Sequence, residues 1–326
     1  MRALRVHELS EDISVLRMDE VELPPPGEGE VRLGLKACSI NFPDILMVQG
    51  KYQFKPELPF SPGMEGAGVV LEVGPGVTSL KPGDEVVAGL RVGGFAEEVN
   101  AQASACRPIP KGMDFIKAAA YPAAYLTAYV ALVIRGNLQK GETLLVHGAT
   151  GGVGMAAVDV GKLLGATVIA TSASDEKLDA VKKRGADYTL NVTEGFKDKV
   201  KELTDGRGAD VIYDPVGGDV FDESVRCIAW NGRLLIIGFT SGRIPSVPVN
   251  MPLIKGFSVI GVRAGEYGRR DLEAGKRNIE TIDRWAAEGK IDPYVCATFP
   301  LEKAVDAMRL LQERKAIGKV VVTMGE

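Results

Sequence analysis

From about Gly141 onward, apolar residues alternate between two rhythms. Thr143–His147 is a short, nearly unbroken apolar run and reads as a strand. In Gly152–Leu164 the apolar positions Val153, Ala156, Ala157, Val160, Leu163 and Leu164 recur at helical spacing, and Gly165 is placed to end the helix. Thr167–Thr171 is a second strand. Ser174 is placed to cap a helix with Asp175 and Glu176 in its first turn and Gly185 as terminator. Tyr188–Asn191, Ala209–Tyr213, Arg233–Ile237 and Phe257–Val262 continue as strands, with helical stretches such as Phe196–Leu203 and Val220–Ala229 between them. Strands alternating with helices predict a parallel sheet with crossovers. The tail adds helices around Leu272–Glu288 and Leu301–Glu313 and a closing strand at Lys319–Thr323.

The first 120 or so residues have a different texture. Short β-branched runs at Val31–Leu35, Gly68–Val73 and Glu85–Ala88 are broken by dense proline and glycine, as in PPPG at Pro24–Gly27 and KPGD at Lys81–Asp84. That pattern predicts a compact, mostly antiparallel β domain. A chain of 326 residues has room for two such domains. With 25% charged residues and a net charge of −4, nothing in the charge balance invites nucleic acid or an anionic membrane. No apolar run approaches a membrane span, and the first residues lack the apolar core of a signal peptide. Cys38, Cys106, Cys227 and Cys296 show no metal-type spacing, which suits free thiols in a reducing compartment and a cytoplasmic location.

Candidate chemistry starts at the join between the first strand and helix of the second half, HGATGGVG at His147–Gly154. Bare backbone N–H groups at the positive end of a helix make a site for a pyrophosphate. As a dinucleotide fingerprint the segment Ala149, Thr150, Gly151, Gly152, Val153 and Gly154 has alanine in the first glycine slot, but it follows a strand and opens a helix, as the motif requires. Its plain alternative is a tight strand–helix turn with no ligand. An NAD site has Asp or Glu at the end of the next strand to bind the ribose 2′-hydroxyl. Here that end reads TSASDEK at Thr171–Lys177, with Ser172 in the acidic slot and Ser174 and Lys177 nearby. No acid stands there to repel a 2′-phosphate, so the expected cofactor is NADPH. Asp175 and Glu176 count against this unless they point to solvent.

With that fingerprint placed after a β domain, the chain resembles the medium-chain dehydrogenase/reductase superfamily, and within it the zinc-free quinone oxidoreductase, zeta-crystallin-like branch. The resemblance spans essentially the whole length. It is carried by INFPDILMVQGKY at Ile40–Tyr52, LPFSPGMEGAG at Leu58–Gly68, LTAY at Leu126–Tyr129, YDPVGG at Tyr213–Gly218 and RKAIGKV at Arg314–Val320. It implies an α/β protein: a Rossmann, doubly wound parallel sheet over 123–265, plus a GroES-like β-rich domain from 1–122 and 266–326, with the active-site cleft between them. It also implies a homodimer, through pairing of Phe257–Val262 across a two-fold axis. The zinc alcohol dehydrogenases of the superfamily have Cys, His and Cys at positions matching Asn41, Met64 and a place near Ala123. Those residues cannot make a tetrahedral zinc site, so no metal is expected.

Without zinc to polarise an oxygen, hydride transfer suits a conjugated acceptor that already delocalises the arriving charge. The resemblance implies NADPH-dependent reduction of a quinone. Reduction of the C=C bond of an enoyl thioester or α,β-unsaturated carbonyl is the alternative. A non-enzymatic NADPH-binding role, structural or RNA-binding as in crystallin-like proteins, is the third, although the absence of a basic patch discourages RNA. Asn41 is read as a polar contact to the nicotinamide ribose or the acceptor, or else as a loop amide capping its own backbone. Tyr52 is read as a proton donor or a nicotinamide neighbour, or else as a half-buried loop aromatic. Thr127 resembles a threonine beside the nicotinamide carboxamide, against a plain helix-start hydroxyl. Gly238, Phe239 and Thr240 are expected to pass near the nicotinamide, and Asp44 and Glu65 to be hydrogen-bonded structural carboxylates. The roles of Arg263 and of the natural acceptor stay open. Val192 stands where related reductases carry a phosphate-side tyrosine, which leaves Ser172, Ser174 and Lys177 to do more of that binding.

Overall fold

A computed structural model describes residues 1–325. They fall into two compact units, Met1–Pro122 with Asp292 onward, and Ala123–Ile291. The sequence reading ends the second unit at 265, so the segment 266–291 belongs with a different partner than expected. Within that segment Trp285 packs edge-on against Tyr129 of the second unit, ring centroids 5.4 Å apart. This contact anchors the segment's long helix there.

The first unit opens with strands β1 (Arg2–Arg5) and β2 (Arg17–Glu20), which pair antiparallel. β3 (Glu30–Ser39) follows, then helix α1 (Phe42–Val48), β4 (Glu65–Val73), β5 (Glu85–Gly89), β6 (Glu98–Gln102), β7 (Cys106–Pro108) and helix α2 (Phe115–Ala120). β3 alternates buried and half-exposed residues along its first half, the two-residue period of a sheet with one face on a core. Leu33, Ile40, Ile45, Met47 and Phe95 fill that core. The other face carries Ala37 and Ala67 against Ala118, Ala119 and Ala120 of α2, and these small side chains let the helix lie close on the sheet.

The second unit starts at Ala123, one residue into α3 (Pro122–Tyr129), which runs on as a π-helical stretch at Val130–Arg135. Then come β8 (Thr143–Val146), α4 (Gly152–Leu163), β9 (Thr167–Ser172), α5 (Asp175–Lys183), β10 (Tyr188–Asn191), α6 (Lys197–Glu202), β11 (Ala209–Asp214), α7 (Gly218–Cys227) and β12 (Ile228–Ile236). α8 (Asn250–Lys255), β13 (Ser258–Gly261), α9 (Ala264–Arg270) and α10 (Leu272–Ala287) complete it. The six strands are parallel in the order β10-β9-β8-β11-β12-β13. The sequence reverses direction in this order after β10, the mark of a doubly wound sheet. Leu145, Ile169, Ile212 and Leu234 pack under Phe196, Phe221 and Phe257 on one face.

The chain ends by returning to the first unit. β14 (Val295–Pro300) runs parallel to β15 (Lys319–Thr323), and α11 (Ala304–Gln312) lies between them in sequence. β15 pairs antiparallel with β3, so the big sheet runs β14-β15-β3-β4-β5-β7, with β6 also on β3. The last strand made is therefore an inner strand of the first unit.

Candidate functional site

In the second unit, the candidate cofactor residues gather at the C-terminal ends of parallel strands, where ligands bind in sheets of this kind. The glycine segment leaves β8 and enters α4. Gly148 takes a positive φ of 53°, Ala149 N–H donates to Thr171 at 3.0 Å, and Gly151 is the N-cap of α4. The first intrahelical bond is Met155 to Gly151 at 2.8 Å, so the N–H groups of Gly152, Val153 and Gly154 lie in the turn that lacks intrahelical acceptors.

The glycines do different work. A Cβ on Gly154 would come within 2.2 Å of the Gly148 oxygen, so this glycine is required by strand–helix packing. A Cβ on Gly151 would meet only the Gly148 oxygen, at an ordinary 3.5 Å. With a normal φ of −85° as well, the fold does not demand glycine there. The bare backbone at 151 suits the close approach of a pyrophosphate, and the cradle fits a dinucleotide.

Ser172 is the last residue of β9, with its hydroxyl 3.4 Å from that of Thr150. Ser174 stands at the N-cap of α5, but its side chain makes no capping bond, so the hydroxyl is not spent on the helix. The half-buried Lys177 sits one turn on. Asn191, which sequence reasoning missed, donates to the Asp175 carboxylate at 3.0 Å. Asp175, one of the two acids beside the expected phosphate residues, is thus already engaged. On the same sheet edge, Thr240 reaches the carbonyl of Pro215 with both N–H and hydroxyl, each at 3.1 Å, while Phe239 is exposed and Gly238 half-buried. Asp214, also missed, takes the N–H groups of Val216 and Gly217 on one oxygen, and burial pushes its carboxyl upward. Thr127 lies inside α3, and its hydroxyl donates back to Ala123 at 2.7 Å. Arg263 is exposed at the N-cap of α9.

His147 closes β8 from inside. Its Nε2 is 2.8 Å from the Ser224 hydroxyl and its Nδ1 2.8 Å from that of Thr171. Ser224 donates its own hydrogen to Val220, so it accepts from Nε2–H, and Thr171 serves the other nitrogen. Burial pushes the imidazole down to about 3, which keeps it neutral.

The first unit brings together a different set. Asn41 is the N-cap of α1, with Pro43 in the first turn. Asp44 accepts from the Asn41 N–H at 2.8 Å and the Gly63 N–H at 3.0 Å; burial still pushes its carboxyl up to about 7. The Asp44 N–H donates to the backbone carbonyl of Asn41 at 2.9 Å, which leaves the Asn41 side chain to other partners. Its Nδ2 donates to Glu65 at 2.9 Å and to the Ser39 carbonyl at 3.4 Å, and its Oδ1 accepts from the Lys319 ammonium at 2.8 Å. Glu65 Oε1 also takes the Ser39 hydroxyl at 2.6 Å and Lys319 at 3.2 Å. Ser39, Glu65 and Lys319 are all buried; Asn41 is the partly exposed member. Lys319 was visible only as part of a sequence motif, with no role. Tyr52 packs half-buried against the core of this unit, and its hydroxyl has no hydrogen-bond partner among the described residues.

Zinc does not fit this arrangement. Asn41 is an amide already bonded on both sides, Met64 a thioether, and the Glu65 carboxylate next to Met64 in sequence already faces an ammonium. Among the described residues no three His, Cys, Asp or Glu side chains come together as a metal site.

Two family models match: Alcohol dehydrogenase GroES-like domain over residues 27–111 and Zinc-binding dehydrogenase over 152–280. A quinone oxidoreductase-like protein 2 homolog of Nematostella vectensis is 44% identical, covering 98% of this chain and 88% of its own length. Among solved structures, an NAD-dependent alcohol dehydrogenase is 34% identical with a TM-score of 0.91 over 100% of both chains. The Escherichia coli quinone oxidoreductase complexed with NADPH is 29% identical, with a TM-score of 0.91 over 99% of this chain and 100% of its own. The enoyl reductase JamJ is also 29% identical, with a TM-score of 0.88 over 99% of each chain.

Proposed function

The chain belongs to the quinone oxidoreductase family of the medium-chain dehydrogenase/reductase superfamily, and on that footing we propose that it is an NADPH-dependent reductase that passes a hydride to a quinone without a metal. The observation that carries the cofactor choice is the end of β9, where Ser172 occupies the acidic slot and Asp175 is tied to Asn191. When bound, the reduced nicotinamide supplies the hydride. In this reading the N–H groups at Gly152–Gly154 hold the pyrophosphate, and Ser172, Ser174 and Lys177 hold the 2′-phosphate. Ala149, Thr150, Gly151 and Val153 shape the cradle, while Thr127 and the segment Gly238–Thr240 flank the nicotinamide. A quinone spreads the arriving charge over its own ring, so the chain has mainly to position it and exclude water.

A second reading has its own observation. The Tyr52 hydroxyl, free of protein partners among the described residues, is suited to deliver a proton to carbon or oxygen, as reduction of an enoyl thioester requires. Parallel assays of NADPH consumption with 1,4-benzoquinone and with crotonyl-CoA separate the two. Turnover with the quinone alone supports the first reading, and faster turnover with the thioester replaces it by the second. The cofactor assignment is tested by kcat/KM with NADPH and with NADH; preference for NADH overturns it.

A further inference from the structure

The polar cluster under α1 has a direction built into it. Both hydrogens of the Asn41 amide point to acceptors, Glu65 Oε1 and the Ser39 carbonyl, while Oδ1 faces the Lys319 ammonium. Flipping the amide would set its NH2 against an ammonium and its oxygen against a carboxylate. The Lys319–Glu65 ion pair, buried at 3.2 Å, therefore fixes which end of the amide faces which way. An amide oxygen has two lone pairs, and the ammonium uses one.

We propose that Lys319 and Glu65 are positioning residues that lock Asn41 as a hydrogen-bond acceptor toward whatever is bound beside it. The molecule meeting Asn41 must then donate, through a hydroxyl or an amide N–H. A reduced nicotinamide nucleotide carries both kinds of donor; a quinone carries neither. Asn41 thus serves the cofactor and gives no electrophilic help to the acceptor's carbonyl. The proposal rests on the NADPH reductase reading for the identity of the bound molecule, but the lock itself does not.

The lock is read directly by NMR of the Asn41 side-chain amide in the intact protein. The expected result is two inequivalent protons protected from water exchange, with protection lost in Glu65→Gln. Unprotected protons in the unsubstituted protein overturn the lock. The consequence is read by kinetics of Asn41→Leu, Lys319→Met and the double variant, with Lys319→Met/Glu65→Gln, which removes both charges together, standing in if Lys319→Met fails to fold. The expected result is a KM for NADPH raised by about tenfold in each single variant and no further in the Asn41→Leu/Lys319→Met pair, with the KM for 1,4-benzoquinone unchanged. Additive losses, or a raised KM for the quinone instead, overturn the positioning role. Absence of any NADPH turnover by the unsubstituted protein overturns the reductase reading alone, and the amide spectrum still decides the lock.

Discussion

Two glycines three residues apart make opposite predictions. Gly154→Ala drives a methyl into the Gly148 backbone, so it should destabilise the protein by about 1–3 kcal/mol and lower its Tm. Gly151→Ala has room and an ordinary φ, so the Tm should hold while the Kd for NADPH rises, because the methyl stands where the pyrophosphate approaches. Thermal melts with and without NADPH check both. His147 gives a pH signature. Its folded value of about 3 lies below the ordinary 6.5, so between those values the unfolded chain binds a proton that the folded chain refuses. The contribution is fully present above pH 6.5 and is lost as pH falls toward 3, by up to roughly 4 kcal/mol. Asp44, raised to about 7 by burial, slopes the other way and loses stability as pH rises between 3.8 and 7. Urea unfolding of His147→Gln should show less acid sensitivity between pH 6.5 and 4 than the unsubstituted protein. An unchanged slope would remove histidine from the account.

At the level of elements, a half-buried triad joins three helices of the nucleotide-binding unit. Tyr125 on α3 donates to Asp159 on α4 at 2.5 Å, and Arg184 at the end of α5 donates to the same carboxylate at 2.9 Å. These helices carry Thr127, the cradle and the Ser174–Lys177 turn. Asp159→Ala should cost about 1–3 kcal/mol by chemical denaturation, since it removes the carboxylate that both Tyr125 and Arg184 donate to. Elements with strong period and clear terminators were readable in advance: α4, β9 and α5 fall within a residue or so of their expected bounds, and Tyr188–Asn191 and Lys319–Thr323 match them. β12 was read from Arg233 but begins at Ile228, because the pairing with β11 skips from Ile228 to Arg233 and the intervening residues break the alternation. α3 and its π-helical extension, largely buried, offered no amphipathic stripe to find. The cradle was visible because its residues are contiguous. The Asn41–Lys319 contact joins residues 278 positions apart, and no local pattern announces it.

For the whole molecule, the open question is what covers the edge of the parallel sheet. β13 is its last strand, and around it Val259 is 40% exposed, Trp230 75%, Ile254 67% and Leu253 80%. An unpaired strand beside so much apolar surface is a liability in a lone chain. The homodimer implied by the family resemblance would bury it against a second copy. Light scattering on the eluting protein should give twice the chain mass, and Val259→Lys should shift it toward monomer; a monomeric unsubstituted protein removes the idea. No helix among the described residues is long and apolar enough to cross a membrane.

The first unit is assembled from both ends of the chain, with β15 running beside β3 as an inner strand and Lys319 as the counterion of Glu65. During synthesis the nucleotide-binding unit, complete by Ile291, can leave the ribosome and fold while its companion still lacks two strands of its sheet. The order of manufacture is thus the reverse of the order of reading: the part encoded first is finished last. A nascent chain that still lacks β15 can acquire a nucleotide cradle, but it leaves Glu65 without its Lys319 counterion and an open seam along β3. β15 and its Lys319 act as the closing stitch, and Asn41 is directed only once they are in place.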